Sequence, residues 1–193
     1  MESTNIGCLV MAAGNAARFH ANKLAAQFEG KSLIRRALEA VPQDLLSAIT
    51  VVTQYPEVAA LASEFGFSVI MNEHPEYGIS HTIALGTRAM QTCDAIVYLV
   101  SDQPLLEKAS VERVIACWKT HPSCIVGAAH NGKRGNPCIF PREFFGELFA
   151  LLDDHGGSAV IRAHPDRLLT VEIGKEELTD VDTPQALEAL EKQ

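Results

Sequence analysis

The chain lacks the features that mark several large protein classes. No stretch approaches the ~18 consecutive apolar residues that a membrane-spanning helix needs. The apolar run near the start is too short, and lacks the basic flank, for a signal peptide. No Cys-x-x-Cys pair occurs, and the five cysteines (Cys8, Cys93, Cys117, Cys124 and Cys138) are odd in number and scattered. That leaves a zinc or dithiol redox site without support and fits unpaired thiols in a reducing cytoplasm. The seven histidines show no His-x-x-x-His spacing, and there is no Gly-x-Ser-x-Gly elbow. Positive charge is scarce as well: 16 Lys and Arg against 24 Asp and Glu give a net charge of −8. A nucleic-acid partner, which demands a basic face, is therefore not expected. Internal repeats, low-complexity tracts and linkers are all missing.

What is present is an ordinary globular composition, 47% hydrophobic with a mean hydropathy of +0.07. A chain of 193 residues buries roughly 70% of its unfolded surface, and one domain over 1–193 is expected. Apolar runs at 6–11, 48–53, 67–71, 95–100 and 124–128 predict strands. Helical spacing predicts helices over 31–41, 56–65, 80–90 and 110–119, with Ser80 as an N-cap. Strand 95–100 is almost purely apolar, as in parallel sheets covered on both faces. The alternation predicts a mostly parallel, three-layer α/β/α sheet of Rossmann-like type. The remainder is less regular: a short strand at 138–140, helical turns at 144–152 and 158–163, a strand at 168–173 and a final helix at 184–190.

Ligands of such sheets bind beyond the carboxyl ends of the strands. Strand 6–11 runs there into small residues around Gly14 and then reaches two cations, Arg18 and Lys23. Small residues let backbone N–H groups of 13–17 approach a triphosphate, and the cations neutralise its charge. Gly14 is the only glycine of the loop, so it is neither a Walker A nor a dinucleotide motif. By itself it is equally an ordinary connection carrying two solvated cations. Asp102 follows the purely apolar strand and reaches the same rim. Asp180 and Asp182 lie in Thr-Asp-Val-Asp-Thr-Pro, at a spacing that places both on one side of an extended segment. Carboxylates from separate loops suit Mg²⁺ on a triphosphate, or, in the plainer reading, a turn and a helix cap.

Met11-Ala-Ala-Gly-x-x-x-Arg18, Lys23, Gly30-Lys-x-Leu33, Gly78-Ile-Ser80, Ser101-Asp-Gln-Pro104 and Asp180-Val-Asp-Thr-Pro184 together resemble the MobA-like nucleotidyltransferases. Their molybdenum cofactor cytidylyltransferase (MocA) branch is the most similar. Arg134-Gly-Asn-Pro137 and Gly156-Gly-Ser-Ala159 extend the likeness over the whole chain. The resemblance implies a Mg²⁺-dependent nucleotidyltransferase that moves CMP from CTP to molybdopterin carrying molybdenum and releases pyrophosphate. Ala12, Ala13 and Gly14 would meet the nucleotide through the backbone. Arg18 and Lys23 would hold the phosphates, with Lys23 also stabilising the transition state. Gly78, Ser80 and Thr82 would line the base and ribose, and Asp102 and Asp182 would bind Mg²⁺. In the family, Ala-Ala-Gly goes with cytidylyl transfer and Ala-Gly-Gly with guanylyl transfer, so Ala13 favours CTP, with GTP the alternative. A molybdoenzyme recipient is a further partner implied. Two other functions fit the resemblance: cytidylyl transfer to a sugar or polyol phosphate, and a non-catalytic molybdenum cofactor carrier or insertion partner. The family pattern is altered at Ala16 and His20, which speaks for the carrier.

Overall fold

A computed structural model of the chain describes residues 4–14 and 22–191. Its centre is β1 (Ile6–Ala12), an apolar strand buried on both faces. On one side β1 pairs in parallel with β4 (Ala48–Thr53), and β4 with β5 (Ser68–Met71). On the other it pairs in parallel with β6 (Ala95–Val100). Beyond β6 lie β7 (Ile125–His130), β8 (Lys133–Pro141) and β9 (Leu168–Glu172), giving the order β5-β4-β1-β6-β8-β7-β9. The expected mostly parallel sheet is present. Its antiparallel member is β8, inserted between β6 and β7.

Residues of period two on β1 feed two cores. Cys8 and Val10 face one layer with α1 (Leu33–Glu39), α2 (Pro56–Glu64) and α4 (Lys108–Thr120), where Leu38, Val58, Val114 and Trp118 are buried. Leu9 faces the other with α3 (Ile79–Ala89), α5 (Phe145–Phe149) and α6 (Ser158–Ala163), against Ile83, Leu148 and Ile161. Gly86 lets α3 lie tightly on β1, because a Cβ there would overlap the Leu9 side chain. A third, smaller cluster joins Phe28, Leu33 and Val181 to Leu190 of α7 (Pro184–Glu191). Among the described residues, no helix is long and apolar enough to cross a membrane.

Three expectations need correction. The helix expected over 31–41 starts at Leu33. Lys31–Ser32 (β3) instead pairs with Gln27–Phe28 (β2) around Glu29 and Gly30, both at positive φ, and Ser32 caps the helix by accepting from Arg35 N–H. Ser80 is not an N-cap: α3 begins at Ile79, and Gly78 holds the cap position without a side-chain bond. The strand expected at 138–140 is the end of nine-residue β8. Asn131-Gly132, at positive φ in both residues, makes the two-residue turn from β7 into β8.

Candidate active site

The end of β1 and the two residues after it are held by their neighbours, carbonyl by carbonyl. Ser101 Oγ donates to Met11 O at 2.8 Å, and Thr53 Oγ1 donates to Ala12 O at 2.9 Å. Gln54 Nε2 donates to Ala13 O at 2.9 Å, and Tyr55 Oη to Gly14 O at 3.0 Å. The donors leave the ends of β4 and β6, the two strands flanking β1, so sheet order itself delivers them. Four carbonyl oxygens that would repel a phosphate are thereby engaged. Beside them opens a cleft of about 350 Å³, lined by Ala13, Gly14, Lys23, Gly78, Thr82 and Asp102 among others. That volume lies within the ~300–1,000 Å³ range of small-molecule sites.

Lys23 lies at the start of a short 3₁₀ turn, Lys23–Ala25, capped by Asn22. Its Nζ donates to Asp102 Oδ2 at 2.7 Å, Asp182 Oδ1 at 3.2 Å and Val181 O at 3.4 Å. The Lys23 and Asp102 side chains are 14% and 20% exposed, and Asp182 is 60% exposed. Burial alone lowers the Lys23 pKa, but the charges and hydrogen bonds of Asp102 and Asp182 outweigh it, and the net shift is upward. The ammonium is therefore fixed as a cation.

Asp182 and Asp102 both reach Lys23 because their two segments are joined by backbone. Val181 N–H donates to Asp102 O at 2.8 Å, and the fully buried Val181 side chain anchors the segment in the third cluster. Gln103 Nε2 reaches Asp180 Oδ1 at 2.9 Å. Buried Glu177 ties the same two stretches together by accepting from the N–H groups of Glu107 and Gly174. Asp180 does not share the contact with Lys23. Partial burial and the nearby Asp102 carboxylate hold its pKa above the usual value, and Gln103 opposes them.

Gly78 has φ 79° and ψ −174°, a region only glycine adopts readily, and a Cβ there would overlap the Asp153 backbone. Thr82 lines the cleft and accepts from Asn72 Nδ2 at 3.2 Å. Ser80 is buried, donates weakly to Tyr77 O at 3.4 Å and is not among the residues lining the cleft. Ala12 is buried at the end of β1. Arg18, Ala16 and His20 lie outside the described residues.

Of the predicted set, then, Ala13, Gly14, Lys23, Gly78, Thr82 and Asp102 meet at one cleft, and Asp182 reaches it through Lys23. Sequence reasoning missed Gln54, Tyr55, Asn72, Gln103 and Val181. Gln54 and Tyr55 directly follow a β-branched strand, which is a weak signal for rim residues. Gln103 and Val181 sit inside the Ser101-Asp-Gln-Pro104 and Asp180-Val-Asp-Thr-Pro184 motifs, which signal the segment but not these two residues' contacts, and Asn72 carries no local signal.

A second cavity of about 310 Å³ shares Met11, Ile79 and Val100 with the first. Its lining includes Tyr98, Phe140 and Ile161, with Arg134, Asn136 and Asp180 as polar members.

Residues 8–168 match the family model for the MobA-like NTP transferase domain. The chain belongs to that family. Its curated relatives include the 8-amino-3,8-dideoxy-manno-octulosonate cytidylyltransferase of Shewanella woodyi, 31% identical over 61% of this chain and 49% of the relative. The chain thus matches about half the length of those curated relatives. Among solved structures, a nucleotidyl transferase from Methanothermobacter thermautotroptrophicus (Mth528) superposes with a TM-score of 0.82 at 21% identity, covering 97% of this chain and 96% of that one. Rv0371C from Mycobacterium tuberculosis H37Rv, in complex with manganese, gives a TM-score of 0.75 at 23% identity, covering 98% and 99%. At these identities the structures share the fold.

Proposed function

We propose that this nucleotidyltransferase moves CMP from CTP to molybdopterin carrying molybdenum and releases pyrophosphate. The observation that carries the reading is Lys23, bound between two rim carboxylates beside a strand end whose carbonyls from Met11 to Gly14 are engaged by side chains. That is a place for a polyphosphate, with a fixed positive charge where charge develops.

Ala12, Ala13 and Gly14 hold the nucleotide through backbone groups, while Gly78 and Thr82 line base and ribose and Ser80 fixes the loop behind them. The Ala13 side chain limits the base pocket, which favours cytosine over guanine. Lys23 and Arg18 hold the triphosphate in line as an acceptor phosphate oxygen attacks the α-phosphorus. The α-phosphorus–oxygen bond to the β-phosphate breaks, and Lys23 stabilises the pyrophosphate charge that forms.

Among the described residues, no group of three or more His, Cys, Asp and Glu side chains forms a metal cage. That fits Mg²⁺, which typically takes one or two carboxylates and completes its shell with substrate phosphates and water. Asp102 and Asp182 already hold a cation, the Lys23 ammonium, and are the residues that would hold the ion. Mg²⁺, or Mn²⁺ as in the mycobacterial complex, would supply positive charge to the triphosphate when bound.

The second cavity suits the acceptor. Its aromatic and aliphatic floor matches a flat heterocycle, and Arg134 matches its phosphate. A second reading, transfer to a sugar, is favoured by the names of the curated relatives. Pyrophosphate release decides between them. The protein is incubated with each nucleoside triphosphate and Mg²⁺, alone, with molybdopterin, and with 8-amino-3,8-dideoxy-manno-octulosonate. Release with CTP and molybdopterin supports the first reading, and release with the sugar acid moves the function to the second. Binding of molybdopterin without turnover on any acceptor makes the chain a carrier.

A further inference from the structure

We propose that Asn72 selects the nucleobase, by fixing the direction in which the Thr82 hydroxyl points its proton into the cleft. The inference rests on the nucleotide reading of that cleft and adds to it a residue with no assigned role.

Asn72 follows β5 and is 2% exposed. Its backbone N–H donates to Thr53 O at 2.7 Å. Its side-chain oxygen accepts from the backbone N–H of His74 at 2.9 Å. A backbone N–H only donates, so the orientation of the amide is determined: the oxygen belongs to His74 and the NH₂ faces Thr82. The distance from Nδ2 to Thr82 Oγ1 is 3.2 Å, inside the buried interior. The segment after Asn72 is braced as well, since the His74 ring stacks on Tyr77 at 4.9 Å and Tyr77 meets His81 edge-on at 5.4 Å.

A threonine hydroxyl has one proton and two lone pairs. Asn72 occupies a lone pair. The proton of Thr82 has no acceptor among the described residues, although the side chain sits on a helix in a residue only 4% exposed. The little surface that Thr82 keeps lines the cleft. An unspent donor in a buried position carries a cost until a ligand accepts from it. The cleft therefore offers a hydroxyl donor, held as a donor by Asn72.

That polarity separates the pyrimidines. The ring nitrogen N3 of cytosine is an acceptor, whereas N3 of uracil carries a proton. A fixed donor opposite N3 bonds cytosine and sets two donors against each other with uracil. N1–H of guanine fails in the same way. The Asn72–Thr82 relay thus reads chemistry where Ala13 limits size.

Asn72→Asp reverses the relay with almost no change in shape. The carboxylate still accepts from His74 N–H, but now takes the Thr82 proton and leaves a lone pair facing the cleft. The expected result, by calorimetric titration with CTP and UTP, is a preference for CTP that falls about ten- to a hundredfold. The loss resides in Kd and KM, with kcat on CTP much less affected. Thr82→Val removes the donor and loses the preference, while Thr82→Ser keeps it. Because Asn72→Asp buries a charge, the valine and serine pair decides the matter if that variant does not fold. Discrimination unchanged in Thr82→Val, or CTP and UTP weakened equally in it, overturns the relay and leaves the nucleotide site standing. A wild-type protein that binds neither nucleotide overturns the nucleotide site and the relay with it.

Discussion

Replacing Lys23 by Met removes the cation from between Asp102 and Asp182 while keeping most of the side-chain volume. The Asp102 contact is short, at 2.7 Å, and both partners are largely shielded from water. A hydrogen bond to a charged group in such a setting contributes about 1.5–3 kcal/mol. The Asp182 contact is longer, and its carboxylate is 60% exposed, so solvent screening reduces it to less than about 1 kcal/mol. The variant should lose about 2–3 kcal/mol in urea denaturation at pH 7, nearly all of it through Asp102. The pH dependence has a definite sign. Burial lowers the Lys23 pKa and the two carboxylates more than restore it, so the folded value lies above the unfolded one. A base shifted upward contributes stability that is fully present below its unfolded pKa, about 10.4, and lost as pH rises through the folded value. The deficit of Lys23→Met is therefore flat across neutral pH and shrinks in strong alkali, as the Lys23 ammonium loses its proton. Two further readouts separate function from folding. CTP-dependent pyrophosphate release should fall roughly 10²–10³-fold, as with loss of one transition-state charge stabiliser. Millimolar Mn²⁺ should raise the melting temperature of the variant more than that of the wild type, because the carboxylates no longer hold an internal cation. A variant as stable as wild type with unchanged turnover refutes this account of Lys23.

Gly78→Ala places a Cβ on the Asp153 backbone and forces a non-glycine residue to φ 79°. The expected loss is about 3 kcal/mol or more, with CTP binding abolished, measured by denaturation and calorimetric titration. Asp180→Asn should raise stability. An acid whose pKa is raised on folding makes the native state bind its proton more tightly, so stability falls as pH climbs from 3.8 through the folded value. The asparagine keeps the bond from Gln103 and removes that penalty. Thermal melts should show the variant ahead at pH 7, with the gap narrowing towards pH 4.

Much of the scaffold was legible because its signals are local. The uninterrupted apolar run of β1, helical spacing around Leu38 and Val58, and the nearly pure apolar run of β6 each report the immediate environment. The antiparallel β8 was only half visible. Its Asn131-Gly132 turn is a known hairpin signal, but Gly135 and Pro137 inside the strand hide its length. The helix expected to start at residue 31 failed for a similar reason: the turn at Glu29 and Gly30 captures Lys31 and Ser32 for a hairpin, and the Ser32 hydroxyl serves better as a cap than inside the helix.

By itself, then, the sequence determined the parallel α/β layering, the rim position of Ala12, Ala13, Gly14, Lys23 and Asp102, and the family. Those follow from strand ends and from residue types, which are properties of short stretches. Only the tertiary structure decided which groups touch. Lys23 and Asp182 are 159 residues apart and meet because Val181 is buried and its N–H binds the Asp102 carbonyl. Asn72 turns its NH₂ to Thr82 because His74 takes its oxygen. Contacts of that kind depend on sheet order and on competition for single lone pairs, and no local pattern in the chain records them.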